Sequence, residues 1–294
     1  MKLKGFIYAI VSAVFFGTAG IFVKEGSTIN FGPVDLLILQ YIIATVILTL
    51  ICIIKYRSQI KLSNELLKKL LIQSIFGNTL MSICFYSTFK YLDVSVGTML
   101  LYIYPALVAL YSFLFLEEKI SRTKVFSIVG TFFGSILVLN IFSGSVNTVT
   151  ITGIILGILS AVFYAFMNIY SAKIVEDVPP IVVTFYTNIF SLVALIVANI
   201  GFLYKLPTIS SSEVIHSGLL AVFCEIVPLT LLFAAIKHIG AVTTSIISTI
   251  ELPAATILSF IFLGERLEIL QIVGIFIVVY SIIKLKKESS EVQM

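Results

Sequence analysis

Charge is what this sequence has least of. Only 12% of its 294 residues are Asp, Glu, Lys or Arg, about half the roughly 25% usual in soluble domains. That scarcity excludes an ordinary water-soluble domain. Three cysteines, Cys52, Cys84 and Cys224, all fall inside apolar blocks at no metal-ligand spacing. They read as small hydrophobes, so neither a disulfide framework nor a zinc site is expected. Two histidines, His216 and His238, lie near block ends, which leaves no nucleophile–base pair to assemble. Tryptophan is absent. No nucleotide-binding loop occurs, so an ATP-driven pump would need a separate motor, and no cofactor is expected.

What is present is apolar: 59% of residues are hydrophobic and the mean hydropathy is +1.13. The apolar residues come in long blocks separated by short polar clusters, each block near the ~20 residues of a spanning helix. The sequence therefore predicts an all-α integral membrane protein. The first block, from Gly5, lacks a small-x-small cleavage pattern and is kept as a helix rather than a signal sequence. Ten spans are expected, at 5–23, 33–54, 67–89, 94–116, 124–142, 152–172, 181–204, 213–236, 241–263 and 269–285. The polar stretch from Lys55 to Lys69 is basic and fits a short surface helix. Ten spans put both termini on one side. With the termini inside, the outer segments hold Lys24, Lys90, Lys205 and Arg266, leaving 15 of the 19 Lys and Arg inside. The positive-inside rule then places both termini in the cytoplasm, with the plasma membrane as the location. The same rule explains the net charge of +4, so nucleic acid is not an expected partner.

The chain repeats itself. Gly5 and Ser12-Ala-Val-Phe15 match Gly153 and Ser160-Ala-Val-Phe163 at an offset of 148. At 147, Pro33 meets Pro180, Phe76 meets Phe223, Lys90 meets Lys237 and Glu118 meets Glu265. Residues 1–147 and 148–294 are thus expected to be two five-helix repeats of one membrane domain. Five is odd, so the second copy enters the membrane inverted. Inverted repeats place a shared site near the midplane and support alternating access.

Candidate site residues are polar groups at mid-span depth. Glu251 stands near the middle of a span beside Pro253, sharing a helical face with Thr244, Ser248 and Ala255. A carboxylate at that depth is a functional candidate by default, against the plainer alternative of a glutamate hydrogen-bonded to a neighbouring helix. Pro253 is expected to kink the span and to leave the Thr249 carbonyl without its usual donor. Glu225 is the second carboxylate, three residues before Pro228, with Asn78 as its repeat counterpart. Two carboxylates at similar depth suit a cycle that binds and releases a proton. Tyr104, beside Pro105, occupies the register of Glu251; a tyrosine and a glutamate together suit an amine through cation–π and charge. Ser160, Tyr164, Asn168 and Ser171 share one face of the sixth span, which either packs or lines the cavity. Asn188 and Thr184 in the seventh span and Tyr86, Tyr102 and Tyr111 are weaker candidates. Gly130 with Gly134, and Gly153 with Gly157, have the small-xxx-small spacing of close helix packing.

The opening glycine with Ser-Ala-Val-Phe in each half, and the phrases Pro105 to Glu118 and Glu251-Leu-Pro253 to Gly264-Glu265, resemble the EamA-type ten-span permeases of the drug/metabolite transporter superfamily. The resemblance covers nearly the whole chain. It departs where Leu252 separates Glu251 from Pro253, since members often have Glu directly before Pro. It implies a carrier, not an enzyme, with spans five and ten as supports behind the cavity. The leading expectation is export of amino acids or related amphiphiles, with proton coupling. Uptake of an organic cation such as a quaternary amine is the alternative within transport, and a membrane scaffold or sensor is the alternative outside it. The expected partners are a small-molecule substrate, protons and membrane lipids, with a homodimer left open.

Overall fold

A computed structural model describes residues 2–19, 22, 33–116, 118–141 and 150–291. The end of the first expected span at residue 23, Lys24 and the expected repeat boundary at 147 and 148 lie outside the described residues. Those residues contain helices and no strand. In chain order the longer helical stretches are α1 (Lys2–Gly17), α2 (Pro33–Lys55), α3 (Asn64–Thr88), α4 (Val94–Phe115), α5 (Arg122–Val138), α6 (Ile151–Ile174), α7 (Pro180–Ala198), α8 (Ser211–Ser248), α9 (Glu251–Leu263) and α10 (Ile269–Glu291), with a 3-10 helix at Ile200–Thr208 between α7 and α8. Seven of them, α2, α3, α4, α6, α7, α8 and α10, are long and apolar enough to cross a bilayer. Helices α1, α5 and α9 are shorter, at 16, 17 and 13 residues.

The helix starts follow local chemistry. Ser63, Ser121, Thr150 and Ser210 each accept a backbone N–H three residues on, and Glu213 completes a capping box with Ser210. Each such cap satisfies a donor that the helix itself leaves unpaired. Pro180 opens α7, where its missing N–H removes nothing. Gly264, at φ 66°, closes α9 in the left-handed conformation that glycine adopts most readily.

Irregularities inside the spans recur at one offset. In α3 the stretch Gln73–Thr79 is wound as a π-helix, and in α8 so is Val222–Ile226. Asn78 and Glu225 sit in these stretches, 147 residues apart. Helix α4 breaks at Tyr102 and Ile103 before resuming at Tyr104. Between α8 and α9 the break falls at Thr249 and Ile250 before Glu251, again 147 residues on. The backbone bonds that end the two resumed helices match as well: Glu118 N–H donates to the Ser112 carbonyl and Glu265 N–H to that of Ser259.

The kink expected at Pro253 therefore lies earlier. Pro253 falls in the first turn of α9, where a missing N–H costs nothing, and the Thr249 carbonyl accepts from Leu252 N–H at 3.4 Å. The boundary expected between the spans at 213–236 and 241–263 falls where the chain turns: Gly240, with a φ of 78° and a ψ of 164°, kinks α8 into two helical segments.

Packing uses small residues to bring backbones together, as membrane helices do without a hydrophobic driving force. A Cβ on Gly5 of α1 would lie 2.6 Å from Ile239 of α8, and one on Gly153 of α6 would lie 2.6 Å from Leu92. Helices α5 and α10 cross at Gly134 and Gly274, where a Cβ on Gly274 would meet the Gly134 carbonyl at 2.6 Å. Ser127 donates to the Ser281 carbonyl across the same seam at 2.9 Å. The main buried cluster joins α1, α4, α6, α7 and α8 through Phe6, Tyr104, Tyr164, Met167, Val183 and Phe233. Helix α6 packs against α3, α4 and α8.

Candidate functional site

The π-helical turns carry the first group of polar side chains. A π turn adds a residue to the helix and rotates the turns beyond it, and such turns are frequent at functional sites. In α8 the turn sits directly before Pro228, so the wider register absorbs the N–H that proline lacks. It leaves Glu225 buried, accepting from Asn188 Nδ2 of α7 at 3.1 Å. In α3 the equivalent Asn78 donates to the Tyr41 hydroxyl at 2.8 Å and to Ser191 Oγ at 3.1 Å. Tyr41 and Asn188 are themselves 147 residues apart, so the same pairing occurs twice with different chemistry. Phenol and amide stand in one place, amide and carboxylate in the other.

The helix breaks carry the second group. Tyr104 is buried and donates to the Ser245 carbonyl at 3.0 Å. Its ring lies 4.4 Å from that of Tyr164 and 6.2 Å from that of Tyr102. Glu251, partly buried, is the first residue of α9, where the helix N-terminus complements a carboxylate. The Tyr102 hydroxyl lies beside Glu251 yet makes no hydrogen bond of good geometry to any described group. Tyr164 and Tyr86 each stand within electrostatic reach of both Glu225 and Glu251, which places the two carboxylates around one tyrosine-lined region.

Neither carboxylate has an ion-pair partner among the described residues; the ion pairs there are Lys69–Glu65, Lys124–Glu118 and Lys205–Asp35. Asn188 Oδ1 also lacks a donor. The region thus offers carboxylate and amide acceptors with aromatic faces beside them. An ammonium group brings three donors and a positive charge, and so matches both.

The remaining candidates separate. Ser248 Oγ and Thr244 Oγ1 donate back to the Thr244 and Gly240 carbonyls, at 3.0 and 2.7 Å, so the polar stripe is satisfied by its own helix. Ser248 nonetheless adjoins Tyr104. On α6, Ser160 and Asn168 also bond their own backbone, at 2.6 and 2.9 Å, and both are fully buried. Asn168 Oδ1 and Ser171 Oγ are left without donors or acceptors. Thr184 accepts from Thr230 at 3.0 Å. Tyr111 packs against Phe115, ring centres 4.5 Å apart and tilted, on an exposed apolar face. Glu118 pairs with Lys124 at 2.7 Å rather than with the adjacent Lys119.

Residues not singled out from the sequence extend the first group. Gln73 accepts from Thr187 at 2.9 Å, and Ser191 donates to the Ser74 carbonyl at 3.3 Å, so α3 and α7 are tied by a buried polar seam. Thr184, Thr187, Asn188 and Ser191 form a stripe at helical spacing that could have signalled it.

Two stretches, residues 3–140 and 151–285, match the model of the EamA-like transporter family. The chain belongs to the EamA-like transporter family. Among its relatives is an uncharacterized transporter of Clostridium kluyveri, 24% identical over 95% of this chain and 92% of that one. The uncharacterized transporter YxxF of Bacillus subtilis is 24% identical over 94% of this chain and 88% of its own length. The pseudopaline exporter CntI of Pseudomonas aeruginosa is 25% identical over 55% of this chain and 54% of its own. One crystal structure matches the fold with a TM-score of 0.84 at 13% identity, over 100% of both chains. This EamA-like protein is accordingly a multi-pass membrane transporter, and its family implies a small-molecule substrate.

Proposed function

We propose that the protein is a secondary carrier working by alternating access, with ten spans arranged as two inverted five-helix repeats. Glu225 and Glu251 bind the positively charged end of a small organic substrate. The observation that carries this reading is the pair of carboxylates without ion-pair partners around Tyr86, Tyr102, Tyr104 and Tyr164. Recurrence of the π turns and helix breaks at one offset supports the repeats, as do the two separate stretches matched by the family model. Discontinuous helices at matching positions of two halves are where inverted-repeat carriers hold their substrates.

Export of amino acids or related amphiphiles is the favoured direction and class, supported by the relative that bears the name of an exporter. Coupling to protons is proposed for the carboxylate pair, because a group that binds a proton in one state and a substrate in the other links the two flows. Uptake of an organic cation is the second reading, favoured by the aromatic faces beside Glu251. Substrate-loaded proteoliposomes, offered labelled amino acids and quaternary amines outside, test the class directly. Saturable counterflow of an amino acid supports the first reading and counterflow of a quaternary amine alone supports the second. A protein that moves neither is not this carrier.

A further inference from the structure

Away from the tyrosine region, an open groove of about 440 Å³ runs along the outer face of the α5–α10 seam. Its walls are Phe126 and Gly130 of α5 and Val273, Phe276, Ile277 and Tyr280 of α10, with Ser281 at its base. Ser281 spends its hydroxyl on the Ile277 carbonyl at 2.8 Å, so the base presents no unmet polar group. One end of the groove is closed by the edge-on pair Phe126–Tyr280, ring centres 6.5 Å apart. Lys284 Nζ stands over the Phe126 ring there, at 3.8 Å.

Helical spacing continues both walls into cations. Arg122 lies four residues before Phe126 on α5. Lys284 and Lys287 lie four and seven residues after Tyr280 on α10, and all three are exposed. The nearby acid, Glu288, faces a different pocket, whose lining includes the cations Lys2, Lys119 and Lys124. An apolar channel on a membrane-exposed face, ending in cations where the chain concentrates its Lys and Arg, has the charge pattern of a lipid site.

We propose that this groove is a binding site for an anionic phospholipid. One acyl chain lies along Phe126, Val273, Phe276 and Ile277, and the phosphate-bearing headgroup meets Arg122, Lys284 and Lys287. The site is independent of the substrate reading and stands if that reading fails.

Native mass spectrometry of the full-length protein, purified with phosphatidylglycerol or with phosphatidylethanolamine, tests it. Wild type retains phosphatidylglycerol in preference to phosphatidylethanolamine. Each of Lys284→Gln and Lys287→Gln lowers that preference by about fivefold, the effect of one basic residue near a membrane surface. Val273→Phe fills the groove without entering the Gly134–Gly274 contact, and lowers retention of both lipids. Equal retention of the two lipids by wild type overturns the proposal, as does a preference that survives both lysine changes. A dimer that Val273→Phe converts to monomer, with no lipid preference, assigns the groove to a second copy of the chain and overturns it as well.

Discussion

At the scale of the residue, the proposed site turns on two glutamates that differ in how they are held. Glu225 has Asn188 at 3.1 Å, while Glu251 has only the nearby Tyr102 hydroxyl, which is not committed to any described partner. Hydrogen bonds to charged groups are worth about 1.5–3 kcal/mol, or roughly tenfold and more in an equilibrium. Glu251→Gln keeps the shape and removes the charge, so transport falls at least about tenfold while expression in the membrane is retained. Flux at the wild-type level would remove Glu251 from the mechanism. Tyr102→Phe deletes a hydroxyl whose polar neighbour is the Glu251 carboxylate. It is expected to leave stability within about 0.5 kcal/mol of wild type, read from the melting temperature, and to weaken substrate affinity, read as a raised KM in counterflow.

Much of this is legible in the sequence alone. Glu225, Glu251, Tyr86, Tyr104 and Tyr164 stand out because polar groups at mid-span depth are expensive, and the structure gathers them. Gln73, Thr187 and Ser191 do not, because small hydroxyls in an apolar run read as packing until a neighbouring helix shows what they bond. Thr244 and Ser248 mark the opposite error. Their spacing with Glu251 implies one continuous helical face, but the break at Thr249 and Ile250 interrupts it, and both hydroxyls bond their own helix.

At the scale of the element, irregularity falls where the sequence does not announce it. Prolines 105, 228 and 253 suggest kinks at their own positions. Each instead sits in the first turn of a helical segment, just after the break or π turn that accommodates it. The π turn of α3 occurs with no proline at all, and nothing in its sequence forecasts it. Gly240 is the exception, because it lies between the spans expected at 213–236 and 241–263. Its φ of 78° with ψ of 164° belongs to glycine alone among common residues, although no atom lies within 4 Å of an added Cβ. Gly240→Ala is therefore a pure backbone strain, expected to destabilise by about 1–3 kcal/mol and to lower the detergent melting temperature. An unchanged melting temperature would mean that the turn relaxes without cost. Gly274→Val tests packing instead. A side chain there meets Gly134 O and Val138 N at 2.6 and 2.8 Å, so α5 and α10 must part, and overpacking of this kind costs about 1–3 kcal/mol.

At the scale of the whole molecule, the offset between halves is readable because the same chemistry is needed twice. Gly5 and Gly153 must both admit a close helix neighbour, and Ile239 and Leu92 are those neighbours at matching places. Span lengths are less readable, since hydropathy sees neither the end of α7 at Ala198, before a 3-10 helix at Ile200–Thr208, nor the division of α4 at Tyr102. Substrate identity leaves no mark that can be read from one chain, because an acceptor-lined region accommodates many ammonium compounds. Proton coupling belongs to this scale too. An imposed pH gradient is expected to drive accumulation by wild type, and flux indifferent to that gradient would separate the carboxylates from any proton flow.

The most direct measurement of the central claim is counterflow into proteoliposomes by wild type and Glu251→Gln, side by side, with a substrate offered both as its ammonium form and as an uncharged analogue. The carboxylate pair predicts saturable exchange of the ammonium compound by wild type, little of the uncharged analogue, and neither by the variant. Equal exchange of charged and uncharged compounds, or exchange undiminished in the variant, would contradict it.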